Sequence, residues 1–438
     1  MKFNQHAILT LLAVAIAAAA TTDTRAAESQ LITPVFISQL AEEMRANHPA
    51  LQAAYARTNA AGFSIATVRT WDDPMLRGGV VAAEKTMRAN DGDLIYGIEQ
   101  KLPLFGKPRL ARNLARAELS VETAGADYQF QTLRSDLAKQ LFHTALSETI
   151  TDIFEHDLRW FDTVVETAEG NYQSGQNRLM NLLQLQNERT RLTTKLETYQ
   201  QQLIHERARL NRLLNRGLLT PWPSMRLPEV GPKISYSDAL VGFAIKYEPK
   251  LRMMQRKIET ARAAVAVTSR ERLPDVSLGA QSRNFSGNGN FRQAEFIVSF
   301  NLPLFNASKY RAAIKRDEAK LKAVEFDAAD YAQSLREEVH DLTVKLDSVR
   351  REGIAYRDQI IPRSEQTLAS AQAMWESGEV SVRDLLDAHR MLLEARLMYA
   401  HAVADQYEWL SDLVLCCGLG DFEALQMLET QTESQKGK

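Results

Sequence analysis

Apolar and polar residues alternate with a period of two in two parts of this chain, and with a period near three and a half over much longer stretches. From 276 onward Val276, Leu278 and Ala280 hold even positions, while Ser277, Gly279, Gln281 and Arg283 hold odd ones. From 294 onward the even positions carry Phe296, Val298, Phe300 and Leu302, against Glu295, Ser299 and Asn301. An earlier pair keeps the parity. Leu94, Tyr96, Ile98 and Leu102 oppose Gly97, Glu99 and Lys101, after a fainter run of Leu76, Val80 and Ala82. This alternation predicts strands with one apolar and one polar face. Polar, glycine-bearing tips near Lys85 to Gly92 and Asn284 to Arg292 join them into two hairpins. Strands of about ten residues fit a hairpin packed on helices in a soluble protein, and equally a tilted strand crossing a bilayer.

The longer period predicts helices of unusual length. No proline occurs between Pro108 and Pro221, and Ala, Leu, Gln, Glu and Arg dominate. Leu133, Leu137, Leu141, Ala145 and Leu146 recur at spacings of three to four, a coiled-coil-like face. From Gly106 to a turn near Gly175 a continuous helix would run roughly 100 Å. The chain then returns to about Leu214, and the same plan follows from Phe305 out to Gly378 and back to about Val414, with Pro362 expected to kink the outward arm. Gly175 and Gly378 are the residues suited to helix-ending turns, so they mark the hairpin tips.

The two halves repeat each other. Leu102-Pro103-Leu104-Phe105 returns as Leu302-Pro303-Leu304-Phe305, displaced by 200 positions, and Pro49 and Pro74 return as Pro249 and Pro274. Further on, Tyr172-Gln-Ser-Gly175 answers Trp375-Glu-Ser-Gly378 at a displacement of 203. That is an internal duplication rather than a solenoid period. The expected organisation is a signal peptide over 1–26 and a first repeat over 27–218 (a short helix, a hairpin at about 75–102, a helical hairpin with its tip near 175). A proline-rich linker at 219–234 leads to a second repeat over 235–420, with a β-hairpin at about 275–302 and a tip near 378, and then a polar tail over 421–438.

The N-terminus starts at Lys2 and runs through the apolar stretch Ala7 to Ala20 into small residues, with cleavage expected after Ala20 or Ala26. The mature chain is therefore expected outside the cytoplasm. Its charge is balanced, 53 basic against 55 acidic residues, which points to no nucleic-acid partner. Cys416 and Cys417 are adjacent and make no disulfide framework. The eight histidines show no metal-ligand spacing, and no nucleophile, phosphate-loop or zinc-protease motif appears, so neither an enzyme nor a cofactor or metal site is expected. Four strands cannot close a barrel, and open edges are not tolerated in lipid. If they span a membrane, several chains must pool them, and three chains would give twelve strands.

These segments resemble those of the TolC-type outer-membrane efflux proteins, over essentially the whole mature chain. The resemblance rests on the paired Leu-Pro-Leu-Phe segments, Arg272-Leu-Pro-Asp275-Val-Ser-Leu, Leu210-Asn-Arg-Leu-Leu-Asn215, and Gly378-x-x-Ser381-x-x-Asp384-Leu-Leu-Asp387-Ala. It implies an α+β membrane protein, internally duplicated. Four transmembrane strands per chain would be pooled in a trimeric twelve-stranded barrel, continued by a long antiparallel coiled-coil tunnel. It further implies a homotrimer in the cell outer membrane, in contact with its lipid, with a periplasmic extension. A periplasmic membrane-fusion adaptor and an inner-membrane pump, of the RND type, would engage it in a tripartite efflux system. The Leu-Pro-Phe-type junctions and Leu-Leu-Asn-Arg resemble more closely the heavy-metal-exporter-associated branch. The readings set beside this one are the export duct of a type I protein-secretion system and a soluble periplasmic coiled-coil structural protein.

The resemblance also assigns roles. Tyr172, Gly175, Trp375 and Gly378 form the adaptor-contacting hairpin tips, and Pro103, Phe105, Pro303 and Phe305 mark the junction of barrel and tunnel, the phenylalanines filling its wall. Asp384 and Asp387 share a helix face, and matching positions in the family ring the periplasmic aperture, where carboxylates attract cations. Ser381-x-x-Asp384 also reads as a capping box. At the matching positions the first copy has Asn181 and Gln184, so the acidic face belongs to one hairpin only. The family's arginine–aspartate link falls on Val380 and Asn181 here, leaving Arg178 or Arg383 as candidate substitutes.

Overall fold

The structure is a computed structural model that describes residues 30–68, 70–81, 92–174, 179–287, 289–301 and 303–420, together with Phe422, Ala424 and Leu425. The signal segment, most of the first β-hairpin tip, Gly175, Arg178, Leu302 and most of the tail lie outside them. In chain order the elements are β1 (Gln30–Leu31), α1 (Pro34–Asn47), α2 (Pro49–Thr67), β2 (Met75–Val81), β3 (Asp93–Lys101), α3 (Lys107–Gln173) and α4 (Leu179–Leu213). They continue with β4 (Met225–Arg226), α5 (Asp238–Tyr247), α6 (Pro249–Glu271), β5 (Val276–Phe285), β6 (Phe291–Phe300), α7 (Ala307–Ala355), α8 (Ile361–Glu376) and α9 (Val382–Cys416).

Residues Leu40–Asp136, Ile234–Asp347 and those from Trp409 on form one compact unit, which holds the main sheet. Its strands run β2-β3-β5-β6, each neighbour antiparallel to the next. The register places Leu76, Ile98, Ala280 and Phe296 in one row across all four strands. The even face so formed is bare: Leu76 is 83% and Phe296 88% exposed, and Tyr96, Ile98, Leu278, Val298 and Phe300 are exposed with them. The odd face carries Arg77, Gly97, Gln281 and Glu295 in the adjacent row. There Arg77 pairs with Glu99, and Gln281 and Gln293 both donate to Glu295, at 2.5 and 2.6 Å. Among the described residues, β2 and β6 each have one unpaired edge.

Two helices, rather than one short one, precede β2. The pairs α1/α2 and α5/α6 break at matching places because His48 and Glu248 cap the second helix of each. The His48 Nδ1 accepts from Ala50 N at 3.2 Å, and the Glu248 carboxylate accepts from Leu251 N. Pro49 and Pro249 follow at the first helical position, where a missing N–H costs nothing. After the strands, Lys101 and Phe300 lead through 3₁₀ turns at Leu104–Gly106 and Pro303–Asn306 into α3 and α7. Phe105 and Gly106 take left-handed φ values of 59° and 72°.

The other unit comprises the residues through Gln39, Leu137–Lys233 and Ser348–Glu408. Its core packs Phe154, Phe161, Leu185, Trp375, Val382 and Leu385 between two helical hairpins. The kink expected at Pro362 is a π-helical turn one turn earlier, at Tyr356–Ile360, and Pro362 sits harmlessly in the first turn of α8. The segment before α5 is anchored by buried Glu148 of α3. Its carboxylate accepts from Arg207 at 2.7 Å, from the Ser224 hydroxyl at 2.9 Å and from Met225 N at 2.6 Å. β4 pairs in parallel with β1 beside that anchor.

Candidate functional sites at the hairpin tip and the strand-to-helix junction

The second hairpin turns in a Schellman motif. Gly378, at φ 80°, donates to Trp375 O at 3.0 Å while Glu379 N donates to Met374 O at 2.8 Å. Ser381 then caps α9, and its cap is reciprocal: Ser381 N donates to Asp384 Oδ2 at 3.0 Å, and Asp384 N to Ser381 Oγ at 3.3 Å. The Ser381 hydroxyl donates to the same carboxylate at 2.6 Å. These hydrogen bonds hold the Asp384 carboxyl below the usual carboxylate range. Asp384 and Asp387 are both exposed on one face of α9.

Asp387 is not an isolated charge. Arg383 lies 3.9 Å away on one side and Arg390 3.5 Å on the other. Arg390 reaches across to α4, where its guanidinium lies 2.9 Å from Glu188. Burial pushes the Glu188 carboxyl up, but the Arg390 hydrogen bond and charge outweigh it and hold the carboxyl low. Trp375 is buried in the core, whereas Tyr172 is exposed at the end of α3. Leu179, Met180 and Leu183 are exposed on the first turns of α4, an apolar patch at the start of that helix.

Two residues without any motif tie the hairpins together beneath the tip. The buried His389 of α9 places Nε2 3.2 Å from Oδ2 of buried Asp157 on α3. Its ring stacks on Trp160 at 4.7 Å and meets the edge of Phe161 at 4.7 Å. Arg396 adds a contact of 3.8 Å to Asp157 and pairs with Glu365 of α8 at 2.8 Å. No spacing pattern in the sequence points to this pair.

At the junction, Pro103 precedes one 3₁₀ turn and Pro303 opens the other; both are half-buried. Phe105 and Phe305 do not fill a wall within this chain. Both are exposed. What closes the junction is charge. Lys107 Nζ lies 2.8 Å from Asp275 Oδ1, Lys101 lies 3.4 Å from the other oxygen, and Lys101 also reaches Asp72 at 3.6 Å. Burial pushes the Asp275 carboxyl up, but the two lysines more than offset it and hold it below its usual value. A cavity of about 370 Å³ opens here, lined in part by Asp72, Lys101, Pro103, Lys107, Glu271 and Asp275. Among the described residues no three His, Cys, Asp or Glu side chains gather closely enough to hold a metal ion.

A family model described as outer membrane efflux protein matches residues 240–418. The cobalt-zinc-cadmium resistance protein CzcC of Cupriavidus metallidurans is 25% identical over 198 residues, 44% of this chain and 43% of the relative. Outer membrane protein OprJ of Pseudomonas aeruginosa is 28% identical over 179 residues, 40% of this chain and 36% of the relative. The matched stretches thus span less than half the length of these curated relatives. The fold matches over far more of the chain. The outer-membrane channel OprN superposes with a TM-score of 0.77 at 18% identity, covering 88% of this chain and 90% of that one. VceC of Vibrio cholerae gives 0.73 at 19% identity, covering 88% and 96%.

Proposed function

Because the chain belongs to the outer membrane efflux protein family, we propose that it is the outer-membrane duct of a tripartite efflux system, a channel and not an enzyme. The observation that carries this reading is the sheet. Its even face is bare and mainly apolar, its odd face carries Arg77, Glu99, Gln281, Arg283 and Glu295 besides Ile95 and Ile297, and its two outer strands have open edges. An apolar face of that kind is stable against lipid, and open edges are not, so the edges must pair with other copies. Three chains then close a twelve-stranded barrel with the odd face inward.

In this reading the halves 27–218 and 235–420 are two copies of one unit, and Pro103, Phe105, Pro303 and Phe305 mark where barrel meets tunnel. The bare phenylalanines face lipid or a neighbouring copy. Tyr172 and Gly378, with Trp375 supporting the turn from inside, form tips that meet a periplasmic adaptor, itself coupled to an inner-membrane pump of the RND type. Asp384 and Asp387 line the aperture, with Arg383 tempering the charge of Asp387. The cargo class is small solutes, with metal cations favoured over drugs by the acidic tip. The duct supplies passage and the pump supplies energy.

The test is genetic and electrical. Deleting the gene should lower tolerance to divalent metals, and the purified protein should migrate as a trimer and open ion-conducting pores in planar bilayers. A monomeric protein that extracts without detergent would overturn the proposal.

A further inference from the structure

The four helix-bearing ends of the sheet strands lie at one end, because α2, α3, α6 and α7 all attach there. At the opposite end, among the described residues, β2 ends, β3 begins and β5 turns into β6, and the odd face there is built differently from the rest. Asp93, the first residue of β3, is completely buried, although it sits at the rim of an exposed sheet. Arg292 pairs with it, with Nε 3.0 Å from Asp93 Oδ1, and the same guanidinium lies 4.6 Å from the centre of the Phe285 ring.

By simple alternation Arg292 belongs with the even, apolar positions. A β-bulge moves it. Arg283 pairs with Gln293 but Asn284 pairs with Phe291, so one residue is left over and Arg292 turns to the face of Asp93 and Phe285. The backbone fixes this arrangement further. Ser286 N donates to Gly92 O at 2.7 Å, tying one hairpin end to the other. Gly287 sits so close over the Phe285 ring that a Cβ there would lie 2.7 Å from a ring carbon. The turn is therefore folded down onto the polar face rather than extended past it.

We propose that Asp93, Phe285 and Arg292 form a second constriction at the outer mouth of the duct, one that limits the size of what passes. The inference rests on the reading that the odd face of the sheet lines the pore. Side chains stacked on that face at the rim occupy the lumen, and a closed ring of three chains repeats the cluster three times. Each cluster is a neutral ion pair over an aromatic ring, so it narrows the mouth without imposing a charge preference on it.

The test uses Ser299→Cys, a near-isosteric change on the odd face of β6, seven residues and about 23 Å from Arg292 along the strand. The native Cys416 and Cys417 are buried, and burial pushes the Cys417 thiol up to about 12, so background labelling is low. Intact cells are exposed from outside to a small charged thiol reagent and to a bulky maleimide-tagged polymer. With the rim intact the small reagent should react and the polymer should not. Adding Arg292→Ala or Phe285→Ala should speed polymer labelling by about tenfold. Phe285→Ala leaves the ion pair in place, and trimer migration on gels confirms that each variant assembles. Equal polymer labelling with and without the rim changes would overturn the constriction. If the small reagent instead ignores Ser299→Cys and reaches Phe296→Cys, the inward-facing polar face is wrong, and the duct reading falls with it.

Discussion

The Nζ of Lys107 donates to the carbonyl of Leu273 at 2.6 Å and lies 2.8 Å from Oδ1 of Asp275, binding the first residue of α3 to the loop that starts β5. The two halves of the chain are thus joined at the point where strands become helices. Lys107→Met should lower stability by about 1 kcal/mol, a figure kept small because Asp275 is partly exposed and screened. The pH dependence has a definite sign. Asp275 is held below its unfolded value, so its contribution is full above about pH 4 and lost as pH falls further. Thermal melting in detergent at pH 7 and pH 3 should show the wild-type advantage over Lys107→Met shrinking at the lower pH. An unchanged gap would refute the assignment.

Asp384 and Asp387 should contribute unequally to selectivity. Asp387 is flanked by Arg383 and Arg390, whereas Asp384 is held by neutral Ser381 donors with Arg383 as its neighbour in sequence. Asp384→Asn should shift the reversal potential of a salt gradient toward lower cation preference by more than Asp387→Asn does. Since hydrogen bonds keep the Asp384 carboxyl ionised below the usual range, its share should persist until pH falls below about 4. Bilayer recordings with each single variant distinguish the two; equal shifts would contradict the geometry.

Beneath the tip, His389→Ala removes an aromatic stack and leaves Asp157 buried without its ring partner. The expected loss is about 3 kcal/mol. His389→Gln, which keeps a donor near Asp157 but not the stack, should lose less. Denaturant midpoints of the purified protein give the order; identical midpoints for all three proteins would count against the pair as an interhairpin tie.

Phe296→Arg places a charge on the bare face of the sheet and should cost about 2–4 kcal/mol in a bilayer, while Glu295→Gln on the opposite face costs far less. The readout is the fraction of protein recovered as membrane-inserted trimer. Equal recovery of both variants would mean that the even face does not meet lipid.

Gly378→Ala tests the turn alone. A Cβ there meets nothing within 4 Å, so only the left-handed φ of 80° matters and the cost should be about 1 kcal/mol. Gly418→Ala should be much worse, because a Cβ at that left-handed position runs into the backbone of Tyr247. Comparing the two melting temperatures separates strain from collision.

Parts of this structure were legible in the sequence because their cause is local. Strand faces follow from alternation, and the α9 cap from Ser381 and Asp384 three residues apart. What was hidden depends on pairing between distant segments. His389 and Asp157 sit on different hairpins with no shared motif, and Lys107 meets Asp275 only after two hairpins have paired. Arg292 was hidden for the same reason: the sequence places it at the end of a polar tip, and only the bulge opposite Asn284 brings it to Asp93. Pro362 drew attention to the right region, yet the helix departs from α geometry one turn earlier, at Tyr356–Ile360; along the same arm, between Phe305 and Trp375, the repeat displacement grows from 200 to 203.

That difference has a consequence for how the gene can change. Between the strands of the two halves the displacement is 200, an even number, so corresponding residues such as Ile98 and Val298 keep the same side of the sheet outside the bulge at Arg292. A single-codon insertion in β3 or β5 would exchange even-face and odd-face residues for the rest of that strand. The outward helical arm of the second half carries three residues more than that of the first, since the displacement grows from 200 to 203 along it. Lineages of this protein should therefore carry odd-numbered length changes in their helices and turns, and only paired ones within their strands.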